Sequence, residues 1–92
     1  MAQQETRQNL GLIQNVLGPE AADQADRLLR RYVFVSRPDI TADLLKIARH
    51  DPESFGPAVQ RISAERWFFR AERVARGLGE AAAAKAMALK RG

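Results

Sequence analysis

The chain contains no cysteine. Disulfides and thiolate-held metals are therefore excluded, and a reducing cytoplasm is the expected location. It has a single histidine, His50, in 92 residues. His50 is expected to be a last-turn residue near a helix C-terminus, where a partial positive charge is favourable. No His/Asp/Glu set stands at metal-ligand spacing. No apolar run approaches the roughly 18–20 residues that a membrane helix needs, so no membrane partner is expected. The opening Met1-Ala2-Gln3-Gln4-Glu5 has no basic stretch followed by an apolar one, so it does not read as a signal or transit peptide. The glycines form neither a dinucleotide fingerprint nor a Walker loop. Gly77-Leu78-Gly79 follows no strand-like segment and is not a phosphate cradle. The acidic pairs Asp23/Asp26 and Asp39/Asp43 are expected to be solvated faces and caps. Without a nucleophile–base pair, a metal set or a cofactor motif, the chain is expected to be no enzyme, with no catalytic, cofactor-binding or metal-binding residues.

What is present is helical periodicity. Hydrophobic residues make up 46% of the chain, enough for a core. No run alternates apolar and polar side chains as a half-buried strand would. Leu10, Ile13 and Leu17 recur at helical spacing over residues 5–17, Gly18 stops that helix, and Pro19 suits the first turn of the next. Residues 19–35 place Ala21, Ala25, Leu28, Leu29 and Tyr32 on one stripe and Phe34 on the polar side. Pro38 ends that segment. Residues 39–50 carry Ile40, Leu44, Ile47 and Ala48 on one face, with Asp39 as N-cap. Asp51 and Pro52 restart the chain, and Phe55-Gly56-Pro57 is expected to interrupt it again. From residue 57 to 89 the spacing predicts a long helical segment, with Ser63-Ala64-Glu65 either a bend or continuous helix. A kink or end is expected at Gly77 and Gly79. The fold class is thus all-α, a small bundle of four to five helices in one domain over 1–92, with 79–92 a basic alanine-rich helical tail. Tyr32, Trp67 and Phe68 are expected in the core.

Charge is distributed unevenly. Residues 1–60 hold seven basic and eight acidic side chains, whereas residues 61–92 hold eight basic and three acidic ones. An excess of positive charge attracts acidic protein, nucleic acid or anionic membrane. On a helix continuous from residue 62 to 78, Arg66, Arg70 and Arg73 cluster, and Phe69 falls between Arg73 and Arg76. Trp67, Phe68, Ala71, Val74, Ala75 and Leu78 face the other way. Arg66, Phe69, Arg70, Arg73 and Arg76 are therefore the candidate partner-binding residues, because arginine forks pair with carboxylate or phosphate and an exposed aromatic adds desolvated contact area. An ordinary solvated arginine face accounts for the same pattern. The expected partner is an acidic protein surface. Alternatives are nucleic acid, as for a plasmid or phage accessory protein, and a second copy of the chain in a self-assembling structural protein.

Residues 31–56 resemble the central part of BID-type domains, found in type IV secretion effectors and some conjugative relaxases. The features are Pro38 after a hydrophobic helix, the Ile40-Leu44-Ile47 stripe, Pro52-Glu53-Ser54-Phe55-Gly56, and the basic helix from Arg66 to Arg76. That family usually has glycine where this chain has Ser36 and Arg37 before the proline. It often has leucine and another glycine where this chain has Pro57, Ala58 and Val59. The resemblance implies a bacterial, elongated helical bundle recognised by a secretion coupling protein, with no catalysis.

Overall fold

The computed structural model describes residues 2–32 and 38–91. They form five α-helices and one short 3-10 turn, with no strand among the described residues: α1 (Ala2–Leu17), α2 (Pro19–Arg30), α3 (Pro38–His50), the 3-10 turn Pro52–Ser54, α4 (Phe55–Ser63) and α5 (Phe68–Arg91). The fold is an all-α small bundle. Its Cα radius of gyration is 12.5 Å and its longest dimension 43 Å, which the 24-residue α5, about 36 Å at 1.5 Å per residue, nearly spans.

Gly18 alone joins α1 to α2. Its N–H donates to the Gln14 carbonyl at 2.8 Å, closing α1, and its own carbonyl accepts from the Ala22 N–H at 3.4 Å, opening α2. At φ 99° and ψ 173°, the residue occupies backbone space open essentially to glycine. Pro19 follows at the first helical position, where a missing N–H leaves no bond unmade. Charge then suits the helix dipole, with Glu20 in the first turn of α2 and Arg27 and Arg30 in its last.

α3 is the central element, packed against α1, α4, α5 and the 3-10 turn. Ile40, Leu44 and Ile47 are fully or almost fully buried, together with Ile13 of α1, Leu28 of α2 and Ile62 of α4. Thr41 is buried too, and its hydroxyl accepts from the Asn9 amide of α1 at 3.1 Å. α4 buries Phe55, Ala58, Val59 and Ile62, an i, i+3, i+4, i+7 stripe. On α5 the buried residues are small: Ala71, Ala75, Gly79 and Ala82. Small side chains let two helix backbones approach closely, and α5 uses them against α3. Past Ala82 no described residue of α5 is buried, and Met87 and Leu89 stand exposed.

Several boundaries differ from expectation. α2 ends at Arg30 rather than running to Val35; residues 31 and 32 form a turn and bend. Phe34 and the rest of 33–37 lie outside the described residues. Asp39 is inside the first turn of α3, not its cap, because the helix begins at Pro38. Phe55-Gly56-Pro57 does not interrupt the chain. It forms the first turn of α4, where proline is tolerated. Gly77 and Gly79 do not end α5: a helix already held by packing on α3 absorbs the glycine penalty. The first part of the expected alanine-rich tail is accordingly part of the bundle, since Gly79 and Ala82 are buried.

Candidate functional site at the head of α5

The break between α4 and α5 shapes this site. α4 ends at Ser63, and two of its last carbonyls are satisfied from the turn: the Ala64 N–H donates to the Gln60 carbonyl at 3.1 Å and the Glu65 N–H to the Ile62 carbonyl at 3.0 Å. Ser63 itself bends back, its hydroxyl donating to the Val59 carbonyl at 2.7 Å. Residues 64–67 turn, and α5 begins at Phe68, with the Arg70 and Ala71 N–H groups both donating to the Trp67 carbonyl at 3.0 Å.

That turn is pinned from α2. The buried Tyr32 hydroxyl donates to the Glu65 carbonyl at 2.9 Å, with the Ile62 carbonyl at 3.4 Å. Burial pushes the Tyr32 phenol above its usual range; Arg31 opposes the rise and Glu65 adds to it. The Tyr32 ring also meets Phe68 edge-on, with centroids 5.5 Å apart, and Phe68 meets Phe69 at 6.3 Å. Phe68 is therefore half-buried and fixed, as expected for a core aromatic.

Trp67 is not in the core. It is 67% exposed, and Phe69 is 76% exposed. A helix continuous from residue 62 would carry Trp67 inward; the turn at 64–67 breaks the phase, so the wheel that assigned it to the core does not apply across the break. The only clue in the sequence was the Ser63-Ala64-Glu65 segment, equally compatible with bend and helix.

Arg66, Phe69, Arg70, Arg73 and Arg76 are all exposed. Arg66 lies in the turn, whereas the other four lie on α5. Phe69, Arg73 and Arg76 share one face at i, i+4, i+7, and Arg70 lies beside them. Arg76 differs in reaching the field of Asp43 on α3. The structure thus keeps Phe69, Arg73 and Arg76 on one face of α5 with Arg70 beside them, sets Arg76 two turns further along the helix than Phe69, and leaves Arg66 with the exposed Trp67 in the turn before it. Nearby, Arg61 is paired with Glu65 at 2.9 Å.

Asp43 departs from the solvated face expected for it. It is only 8% exposed, facing Gly79 of α5. Desolvation pushes its carboxyl above the usual range, against the pull of Lys46 and Arg76. His50 is exposed at the end of α3. The described residues contain no group of three or more His, Asp or Glu that could hold a metal ion, and no helix among them is long and apolar enough to cross a membrane. A recess of about 350 Å³ between α3, α4 and α5 has an apolar floor that includes Ile47, Ala58, Leu78 and Ala82. At its rim Asp51 accepts from the Ser54 hydroxyl at 2.6 Å and pairs with Lys85 at 3.3 Å. Ser54 and Lys85 together hold the Asp51 carboxyl below its usual range.

Comparison of the chain with protein-family models, with curated proteins and with solved structures finds no match. The surface has to be interpreted from its own chemistry.

Proposed function

We propose that this chain is a non-enzymatic interaction module that binds an acidic protein surface through the head of α5. The observation that carries this is the pair Trp67 and Phe69, both exposed on either side of the anchored Phe68 and set among Arg66, Arg70 and Arg73. An aromatic side chain offers about 150–250 Å² of surface for burial, so leaving two in water forgoes several kcal/mol that a partner could recover. Tryptophan and arginine are also the residues most enriched at interface hot spots. The Tyr32 hydrogen bond and the Tyr32–Phe68 contact hold the turn in place, so little ordering entropy is lost on docking. In the setting implied by the resemblance of residues 31–56 to BID-type domains, the partner is a secretion coupling protein.

The test is a charge reversal. Arg66, Arg70 and Arg73 are changed together to glutamate, and the proteins retained from a lysate of the source organism are compared with those of the parent chain. Loss of acidic partners from the variant is expected. An unchanged set of retained proteins refutes the proposal.

A second reading rests on the same exposed aromatics. Trp67 and Phe69 beside arginines are also suited to stacking on bases while the guanidiniums take phosphates. Nucleic-acid binding of that kind weakens steeply with salt, and titration of single- and double-stranded oligonucleotides across salt concentrations separates it from the first reading.

A further inference from the structure

A second basic surface adjoins the first, contributed by a helix that the sequence did not connect with it. Between α2 and α4 runs a groove of about 410 Å³. Its walls carry Gln24 and Arg27 from α2, Arg31 from the turn after it, and Gln60 and Ser63 from α4, and Leu28 and Val59 form part of its lining. Among the described residues no carboxylate lines it. Two other recesses differ in this respect: Asp51 sits in the one beside Lys85, and Asp23 and Asp26 in the one between α1 and α2.

The groove runs into the head of α5. Arg31 precedes Tyr32, whose hydroxyl holds the Glu65 carbonyl, and Glu65 precedes Arg66. Ser63, at the end of the groove, is the last residue of α4 before the same turn. Arg31 thus stands next to the tyrosine that holds the turn carrying Arg66.

We infer that the groove binds an acidic polypeptide segment, with spaced carboxylates pairing with Arg27 and Arg31 while an apolar side chain of the same partner covers Trp67 and Phe69. This deepens the function proposed above and rests on it. Arg27 lies in the last turn of α2 and Arg31 is the residue that caps it. Gln24 and Gln60 supply amides that can bond a peptide backbone between those charges.

Local charge favours polypeptide over polyphosphate. Asp23 lies 3.9 Å from Arg27, Asp26 pairs with Arg30 at 3.0 Å, and Glu65 pairs with Arg61 at 2.9 Å. Asp23 therefore stands beside one of the groove's two arginines, and Glu65 lies two residues beyond Ser63 in its lining. An uninterrupted polyanion would have to pass them, whereas a peptide can place neutral residues there.

The experiment uses the full chain and a short fluorescein-labelled peptide of glutamates around one leucine pair, with a thymidine oligonucleotide of equal charge in parallel. Arg27→Glu with Arg31→Glu should weaken peptide binding about tenfold or more, and Arg27→Gln with Arg31→Gln by less. Both arginines are exposed, so circular dichroism and thermal unfolding should match the parent. If the α5 triple reversal weakens the peptide and the α2 double reversal does not, the groove inference fails and the α5 surface stands. If neither variant affects the peptide, or the peptide does not bind, both fail. Tighter binding of the oligonucleotide than of the peptide, lost in the α2 variant, overturns the polypeptide assignment.

Discussion

Gly79 of α5 lies directly against Asp43 of α3. A Cβ at residue 79 would stand 3.1 Å from Asp43 Oδ1, 3.3 Å from its Cβ and 3.4 Å from its Cα. Two residues earlier, a Cβ at Gly77 would meet nothing within 4 Å. Both glycines are helical, so both carry the same intrinsic penalty of about 1 kcal/mol relative to alanine.

The two sites therefore diverge on substitution. Gly77→Ala is expected to raise stability by up to about 1 kcal/mol. Gly79→Ala should gain distinctly less, because the new methyl presses on the backbone of α3 as well as on a movable carboxylate. Gly79→Val should destabilise by about 1–3 kcal/mol through overpacking. Urea unfolding of the three variants checks this, and equal gains for both alanine variants would mean that α3 and α5 are not in such close contact.

Asp43 makes a pH-dependent prediction. Desolvation raises its pKa above the unfolded value, so the native state holds that proton more tightly than the unfolded chain. Stability then declines as pH rises from the ordinary carboxylate range through the raised value. Asp43→Asn, neutral and of similar size, is expected to stabilise the protein at pH 7, with the gain shrinking as the solution is acidified. A gain independent of pH, or one that grows on acidification, would contradict the burial of a charged carboxylate.

Asp51 has the opposite sign. Ser54 and Lys85 hold its pKa down, so the stability it contributes is present above the ordinary carboxylate range and is lost as pH falls through the depressed value. Ser54→Ala removes the first of these partners and should move the Asp51 titration upward, as read by carboxyl NMR. No upward movement would show that the Ser54 bond does not set it.

Gly18→Ala tests the corner between α1 and α2. At φ 99° and ψ 173° an L side chain is strained, so a loss of about 1–3 kcal/mol is expected although nothing lies within 4 Å of the new methyl. A neutral result in thermal unfolding would mean that the corner relaxes to another conformation.

Trp67 offers an optical check on the turn before α5. Its fluorescence should resemble that of exposed indole and be readily quenched by acrylamide, and Trp67→Ala should leave stability within about 0.5 kcal/mol of the parent. Tyr32→Phe, which removes the hydroxyl bonded to the Glu65 carbonyl, should instead cost about 0.5–1.5 kcal/mol. A blue-shifted, shielded tryptophan would return Trp67 to the core.

The sequence by itself determined the helices and most of the core. Ile13, Leu28, Ile40, Leu44, Ile47 and Ile62 are buried because apolar side chains at helical spacing must face one another to leave water. It also determined the concentration of positive charge in the last third and the position of Phe69 on the arginine side of its helix, whereas the exposure of Phe69 came from the fold. Tertiary structure decided what depends on phase and proximity. The turn at 64–67 rotated Trp67 out of the core, since periodicity carries no information across a break. The packing of α3 on α5 buried Asp43, whose local pattern matched a solvated cap. The Tyr32 bond to the Glu65 carbonyl tied the chain just after α2 to a turn more than thirty residues away, because a hydrogen bond between distant segments leaves no trace in local spacing.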